Sequence, residues 1–274
     1  MQISESSLVT LGPAGTFSEL AAQALIKQQS LRLATTLQDS VASVVEAISP
    51  TQLGLLPIEN LTEGFVSPVV DALVVRPLTI LAEIKLPIAF KLLANDTQPQ
   101  SVWAQFVAAG QCRAALTRLS LPIIHTSSNG ESMQQLVNAD KPAAALVPAH
   151  IKCPANFYHL SDKAADTEHN ETRFVLLSAN SSAVEFDPQQ RWKSSVLLID
   201  DNDHPGLLVD SLSVFARRGI NLTSIVSRPT GGGFGQYHFY IDFDGHRQQS
   251  HVAEALEQLA KLNQIRWLGS YQAA

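Results

Sequence analysis

The chain has 274 residues, 45% of them hydrophobic and 16% charged, with a formal net charge of -6. That composition is globular, enough for one large domain or two ordinary ones, and it excludes a disordered chain. The one basic doublet, Arg217-Arg218, is too little for a nucleic-acid surface, and the most apolar stretch, 73–94, is broken by Arg76, Glu83, Lys85 and Lys91, which excludes a membrane span. Met1-Gln2-Ile3-Ser4-Glu5 lacks the charged-then-apolar pattern of an export signal, so a cytoplasmic protein is expected. Cys112 and Cys153 then read as small buried residues rather than a disulfide.

Residues 8–11 predict a short strand, followed by Gly12-Pro13-Ala14-Gly15-Thr16-Phe17-Ser18-Glu19 and a helix over 20–28. A Gly-rich turn between strand and helix exposes the first-turn N–H groups, and the helix dipole makes that end an anion site. Thr16 or Ser18 is a natural N-cap, and Glu19 suits the first turn. The turn matches neither the phosphate-loop nor the three-glycine dinucleotide pattern, so a carboxylate fits better than a nucleotide. Plain helix capping explains the same residues equally well.

Further strands are expected at 31–35, 53–58, 79–86, 123–124 and 143–147, and helices at 40–48, 65–74, 101–109, 113–119 and 132–139. The run Pro87-Ile88-Ala89-Phe90-Lys91-Leu92-Leu93-Ala94 reads as an extended crossing between two lobes, and Tyr158-His159-Leu160 as the start of the return. Polar turns fall at strand ends at 12–18, 59–64 and 127–131, and Asn170-Glu171-Thr172-Arg173-Phe174 makes a fourth polar edge. Open α/β sheets bind ligands at such strand ends and at clefts between lobes, which gives a two-lobed, periplasmic-binding-protein-like layout. At the fourth edge a Thr hydroxyl can donate a hydrogen bond and an Arg can grip a carboxylate, although a strand with a solvent-facing Arg is the ordinary reading of that pair.

Residues 179–192 form a Ser/Ala-rich linker with Pro188. Beyond it the pattern changes: a strand at 195–199, the loop Asp201-Asn202-Asp203-His204-Pro205-Gly206, and a helix at 207–217 stopped by Gly219. Strands at 220–227 and 237–243 flank Gly231-Gly232-Gly233, and a helix at 252–262 precedes a last strand at 265–268. The order βαββαβ is that of a ferredoxin-like module.

Several segments carry a resemblance: Leu11 to Glu19 as written above, Pro57-Ile58-Glu59-Asn60 with Gly64 and Val66, Thr172-Arg173-Phe174, His204-Pro205-Gly206-Leu207-Leu208, Ile220-Asn221-Leu222-Thr223, Ser227-Arg228-Pro229 and Leu268-Gly269-Ser270-Tyr271. In this order the chain resembles a monofunctional bacterial prephenate dehydratase with a C-terminal ACT domain. The resemblance implies a catalytic domain at 1–182, with lobes at 1–84 plus 158–182 and at 85–157, and an ACT domain at 192–274. It implies conversion of prephenate to phenylpyruvate with loss of CO2 and water, without cofactor or metal, under inhibition by L-phenylalanine. A homodimer or tetramer is expected. The runner-up readings are a family member with altered chemistry on prephenate and a catalytically silent phenylalanine sensor.

The resemblance assigns roles residue by residue. Thr172 assists departure of the hydroxyl. Arg173 binds or orients a carboxylate. Thr16, Phe17, Ser18, Asn60, Ser127, Ser128, Asn129 and Phe174 bind substrate or shape its pocket, and Glu59 orients neighbours. Gly206, Leu207, Leu208, Asn221, Ser227, Arg228 and Pro229 bind phenylalanine in the ACT part. Three departures from the family pattern stand out. Leu61 replaces a Ser after Asn60, Ala104-Gln105-Phe106-Val107-Ala108-Ala109-Gly110 replaces a Ser-His-Pro stretch, and Ser128-Asn129-Gly130 lacks a Thr.

Overall fold

A computed structural model describes residues 5–180, 184–199 and 204–274. The first four residues, part of the linker and the Asp201-Asn202-Asp203 loop read from the sequence lie outside the described residues. In chain order, β1 (Ser7–Leu11), α1 (Phe17–Gln28), β2 (Ala34–Gln38), α2 (Val41–Ala47), β3 (Gln52–Asn60), β4 (Gly64–Phe65), α3 (Ser67–Val75) and β5 (Thr79–Pro87) build the first lobe. Its sheet has the order β2-β1-β3-β11-β5, where β11 (Glu171–Ser178) is the returning strand; β4 pairs with β3. The chain therefore leaves this sheet after β5 and comes back between β3 and β5.

The second lobe holds β6 (Phe90–Ala94), β7 (Val102–Gln105), α4 (Phe106–Gln111), α5 (Arg113–Leu119), β8 (Ile123–Thr126), α6 (Asn129–Val137), β9 (Ala144–Pro148) and β10 (Tyr158–Ser161), with sheet order β10-β6-β9-β7-β8. Two expectations change here. Residues 102–105 form a strand rather than the start of a helix, because Val102 and Ala104 are buried and β7 lies in parallel between β8 and β9. Tyr158 pairs with Ala94 in the second sheet, so the return to the first sheet begins with β11, not at Tyr158.

The C-terminal module runs β12 (Trp192–Ile199), α7 (Leu207–Ala216), β13 (Leu222–Pro229), β14 (Tyr237–Asp244), α8 (Ser250–Leu262) and β15 (Gln264–Gln272). Its antiparallel sheet has the order β13-β14-β12-β15, the ferredoxin-like arrangement. One face is covered by α7 and α8 through Val214, Phe215, Val252, Ala255 and Leu259. The other face packs on the first lobe, where Leu197, Tyr240, Leu268 and Tyr271 share a core with Val9, Leu56, Ile58 and Ile80. At Gly269 a Cβ would lie 2.3 Å from the Ile80 carbonyl oxygen, so only glycine lets β15 approach β5 this closely.

Both thiols are free, with Cys112 buried in the second lobe. Among the described residues no helix is long and apolar enough to cross a membrane, and no cluster of His, Cys, Asp and Glu is placed to hold a metal ion.

Candidate active site

Two helix N-termini, one from each lobe, are built by the same sequence device. In Thr16-Phe17-Ser18-Glu19, Thr16 Oγ1 accepts from the Glu19 N–H at 3.5 Å and the Glu19 carboxylate accepts from the Gly15 N–H at 2.6 Å. In Ser128-Asn129-Gly130-Glu131, Ser128 Oγ accepts from the Glu131 N–H at 3.1 Å and the Glu131 carboxylate accepts from the Ser127 N–H at 2.7 Å. These resemble capping boxes, except that each Glu reaches back to the N–H of the residue before the N-cap. They leave the N–H groups of Phe17, Ser18, Asn129 and Gly130 outside the helical ladder, at the positive ends of α1 and α6.

The two turns touch. A Cβ on Gly130 would sit 2.9 Å from the Ala14 carbonyl oxygen, so the glycine permits the contact. His150, following β9, donates from Nε2 to the Gly15 carbonyl at 3.1 Å and packs edge-on against Phe17. Burial disfavours its charged form and holds its pKa below the usual histidine value, against the opposing pull of the Gly15 hydrogen bond.

Between the lobes lies a cleft of about 430 Å3. Thr16, Phe17, Ser18, Asn60, Ser127, Ser128, Asn129, Thr172 and Phe174 all line it. The structure thus brings together every sequence-identified substrate residue except Arg173. The lining also contains Glu63, Val66, Ile88, Phe90, Gln105, Val107 and Gln111, which sequence reasoning did not assign. Val66 closes the Pro57-to-Val66 motif, and Gln105 lies within residues 101–109, where the sequence pattern predicts a helix. Phe17 meets Phe90 edge to face at 5.4 Å, giving the cleft an apolar wall. A larger hollow, about 730 Å3, lies by residues 184–192 and the C-terminal residues and holds none of the predicted site residues.

At the cleft floor β3 and β11 present one cross-strand pair, Asn60 opposite Thr172. Asn60 Nδ2 donates to Thr172 Oγ1 at 2.8 Å. Asn60 Oδ1 accepts from the Thr62 N–H and hydroxyl and the Glu63 N–H, all within 3.0 Å, so the amide is fixed on both sides. With its oxygen already accepting, the Thr172 hydroxyl keeps its proton for a ligand. Asn129 Oδ1 is buried with no hydrogen-bond partner among the described residues, and Asn129 lines the cleft.

Arg173 is elsewhere. One residue along the strand, its side chain points to the opposite face of the sheet, as strand geometry requires. There it forms ion pairs with Glu59 at 3.0 Å, Glu83 at 3.3 Å and Asp242 at 2.6 Å. Arg173, expected to bind or orient a substrate carboxylate, does not line the cleft, and the carboxylates it meets are those of Glu59, Glu83 and Asp242. Among the described residues lining the cleft the one ionisable side chain is Glu63, so the polar groups it offers are otherwise N–H groups, hydroxyls and amides.

The departures from the family pattern acquire positions. Leu61 is 66% exposed and outside the cleft lining, while Thr62 fills the hydrogen bonds beside Asn60. In the replaced stretch Gln105 caps α4 through the Ala108 N–H and still lines the cleft.

A second hollow, about 190 Å3, is lined by His204, Gly206, Leu207, Leu208, Val209, Gly235, Tyr237 and Phe239 in the C-terminal module. Gly206, Leu207 and Leu208, expected from the resemblance to bind phenylalanine, line it together, Gly206 with φ of 97°. The remaining candidates do not line it. Asn221 donates to Asp244 at 3.0 Å, Ser227 and Pro229 are exposed on strand β13, and Arg228 pairs with Asp71 of α3 at 2.6 Å.

The fold and cleft together define a two-lobed α/β domain with a polar and aromatic cleft between its lobes, carrying a ferredoxin-like module on the back of its first sheet. The family model for prephenate dehydratase matches residues 8–182, and that for the ACT domain matches 195–261. A prephenate dehydratase of Mycobacterium ulcerans is 34% identical over 95% of this chain and 87% of its own. Among solved structures, a prephenate dehydratase of Arthrobacter aurescens in complex with L-Phe superposes with a TM-score of 0.87 at 31% identity, covering 98% of this chain and 90% of that one. That of Staphylococcus aureus gives 0.79 at 26% identity, covering 97% of this chain and 100% of that one. The chain belongs to the prephenate dehydratase family and has the two-domain form with a C-terminal ACT domain.

Proposed function

We propose that the protein converts prephenate to phenylpyruvate and is inhibited by L-phenylalanine. The observation that carries this reading is the Asn60–Thr172 pair at the floor of a cleft flanked by two helix N-termini. Prephenate is a dianion. Its side-chain carboxylate suits the N–H groups at the starts of α1 and α6, which attract negative charge without a cation. The ring carboxylate, set against Phe17, Phe90 and Phe174, loses solvation there, and loss of CO2 removes its charge. The C–C electron pair passes into the ring, which becomes aromatic as the C–O bond breaks. Thr172 hydrogen-bonds the departing oxygen, which takes up one proton and leaves as water. The balance is one prephenate dianion and one proton to one phenylpyruvate monoanion, CO2 and water.

The Arthrobacter aurescens relative in complex with L-Phe supports phenylalanine as the effector, and the hollow at Gly206-Leu207-Leu208, beside the N-terminus of α7, is the site proposed for it. The domain limits of 1–182 and 192–274, a cytoplasmic location and assembly as a homodimer or tetramer belong to the same reading. The test is incubation of purified protein with prephenate, with and without L-phenylalanine. Phenylpyruvate whose formation falls on adding the amino acid is expected. Prephenate consumed without phenylpyruvate overturns the reading in favour of altered chemistry. No consumption, with phenylalanine still bound, leaves a sensor.

A further inference from the structure

The cleft-floor pair has a second pair directly behind it. On β3 and β11, Asn60 faces Thr172, and the next rung sets Glu59 opposite Arg173. Side chains alternate along strands, so Asn60 and Thr172 point into the cleft while Glu59 and Arg173 point to the other face. The register shifts immediately beyond Arg173, a bulge that further fixes which residues share a face.

What meets that back rung is the ACT sheet. Asp242 of β14 places Oδ2 2.6 Å from Arg173 Nη2, and Ser224 of β13 donates to Glu59 Oε2 at 3.4 Å. Asp242 is itself held, with Oδ1 accepting from Ser195 Oγ at 2.5 Å, and Ser195 in turn is bonded by Tyr271 and Tyr240 at 2.7 and 3.2 Å. Glu83 completes the cluster, accepting from Arg173 at 3.3 Å and from Lys193 at 3.1 Å. Charged groups from both domains are therefore buried together, one residue removed from the hydroxyl assigned to the chemistry.

Stability alone is a poor reason for such a cluster, because an apolar set of equal volume is often at least as stabilising as a buried ion pair. A cluster of fixed charges does hold two strands in one register and orientation. We propose that Arg173 and Asp242 are positioning residues. The ACT sheet, through Asp242, holds Arg173 and so fixes the Thr172 hydroxyl against Asn60, and effector occupancy of the ACT domain reaches the cleft through this contact. The α3 helix gives the same sheet a second hold on the cleft. Arg228 pairs with Asp71 and bonds Ser67 in its first turns, and Arg266 bonds the Leu73 and Val74 carbonyls at its end. That helix directly follows Val66, which lines the cleft.

This inference rests on the assignment of Thr172 to prephenate chemistry, and the test separates the two. Wild-type protein is first assayed for phenylpyruvate formation; no turnover overturns the functional reading before any variant is compared. The variants are Asp242→Asn, which keeps shape and removes charge, and Glu59→Gln, on the better-solvated partner of Arg173. Expected for Asp242→Asn is a kcat at least about tenfold lower with KM within about threefold, the range of a lost orienting contact. Phenylalanine binding by calorimetry stays within about twofold, while the depth of inhibition falls. If Asp242→Asn lacks the wild-type circular-dichroism melt, Glu59→Gln carries the same pattern at smaller amplitude. Wild-type kcat with full inhibition in the folded variant overturns the proposal. So does a lowered kcat with inhibition depth unchanged, which marks a merely structural contact.

Discussion

Asn60 and Thr172, 112 residues apart in sequence, form one hydrogen-bonded rung in which Asn60 donates and Thr172 accepts at 2.8 Å. That direction decides what Thr172 can do, since an oxygen already accepting is left with its proton for a ligand. Removing the hydroxyl removes the donor. Thr172→Ala is expected to lower kcat by roughly 10²–10⁴, the range for a group that assists proton transfer. Thr172→Ser retains the hydroxyl and is expected to recover most of that loss. Steady-state turnover of prephenate by the two variants checks both statements, and a fall of less than about tenfold for Thr172→Ala sinks the role.

Leu61 stands where the family pattern has Ser, yet it is largely exposed and outside the cleft lining. Thr62 supplies both an N–H and a hydroxyl to Asn60 Oδ1. Leu61→Ser is therefore expected to change kcat/KM by less than about threefold, as surface changes away from a site do. Thr62→Val removes the hydroxyl beside Asn60 and is expected to cost more than Leu61→Ser. The same assay ranks them, and the reverse order shows that Leu61 reaches the substrate.

The polar turns were legible in sequence because capping is local. Thr16 and Glu19 lie within one helical turn, and the structure joins them; α6 begins at Asn129, three residues before the helix expected at 132, with Ser128 as its cap. Arg173 was not legible in the same way. Its identity suggests a carboxylate partner, but strand alternation decides the face, and Asp242 lies in another domain. No local pattern couples Thr172-Arg173 to an aspartate on β14. Residues 102–105 form a strand for a related reason: four residues are too few for alternation to outweigh a helical pattern, and the parallel neighbours β8 and β9 fix the strand. Likewise Arg228, expected at the effector site, is taken by Asp71 and Ser67 of α3, partners fixed only by domain docking.

Gly130 is the point where the two helix N-termini meet. A β-carbon there would lie 2.9 Å from a backbone oxygen of the opposite turn, an atom that cannot swing aside as a side chain does. Gly130→Ala is expected to wedge the turns apart and to cost about 1–3 kcal/mol as an overpacking change. Because the displaced N–H groups are those assigned to the substrate carboxylate, KM should rise more than kcat falls. Thermal melts and saturation kinetics read the two effects, and an unchanged KM places the carboxylate elsewhere.

The two thiols should differ in reactivity. Burial, with the Asp166 carboxylate nearby, pushes the Cys112 thiol up to about 12, and the side chain is enclosed in the second-lobe core. Thiolate is the nucleophile, so Cys112 should resist alkylation in the native state. Cys153 is partly exposed and should react first. Iodoacetamide followed by peptide mass mapping is expected to label Cys153 alone until denaturant is added. Native labelling of Cys112 at a comparable rate shows that the second lobe opens readily.

Glu83 should make stability fall in acid. Burial works against its charge, but Lys193, the Ala274 N–H and Arg173 outweigh it, and its pKa lies below the ordinary glutamate value. A carboxylate depressed in the folded state binds fewer protons folded than unfolded between the two values. Its contribution is thus fully present above the unfolded pKa, near ~4.3, and is lost as pH falls through the folded pKa. The melting temperature should therefore decline below about pH 5 in wild type. Glu83→Gln leaves Arg173 and Lys193 short of a buried counter-charge and should cost about 3 kcal/mol at pH 7. The difference between the two proteins should shrink as acid protonates the wild-type carboxylate. Melting curves from pH 7 to pH 3.5 give both lines, and a gap that stays constant across that range shows that Glu83 does not hold its charge against Arg173 and Lys193 in the folded protein.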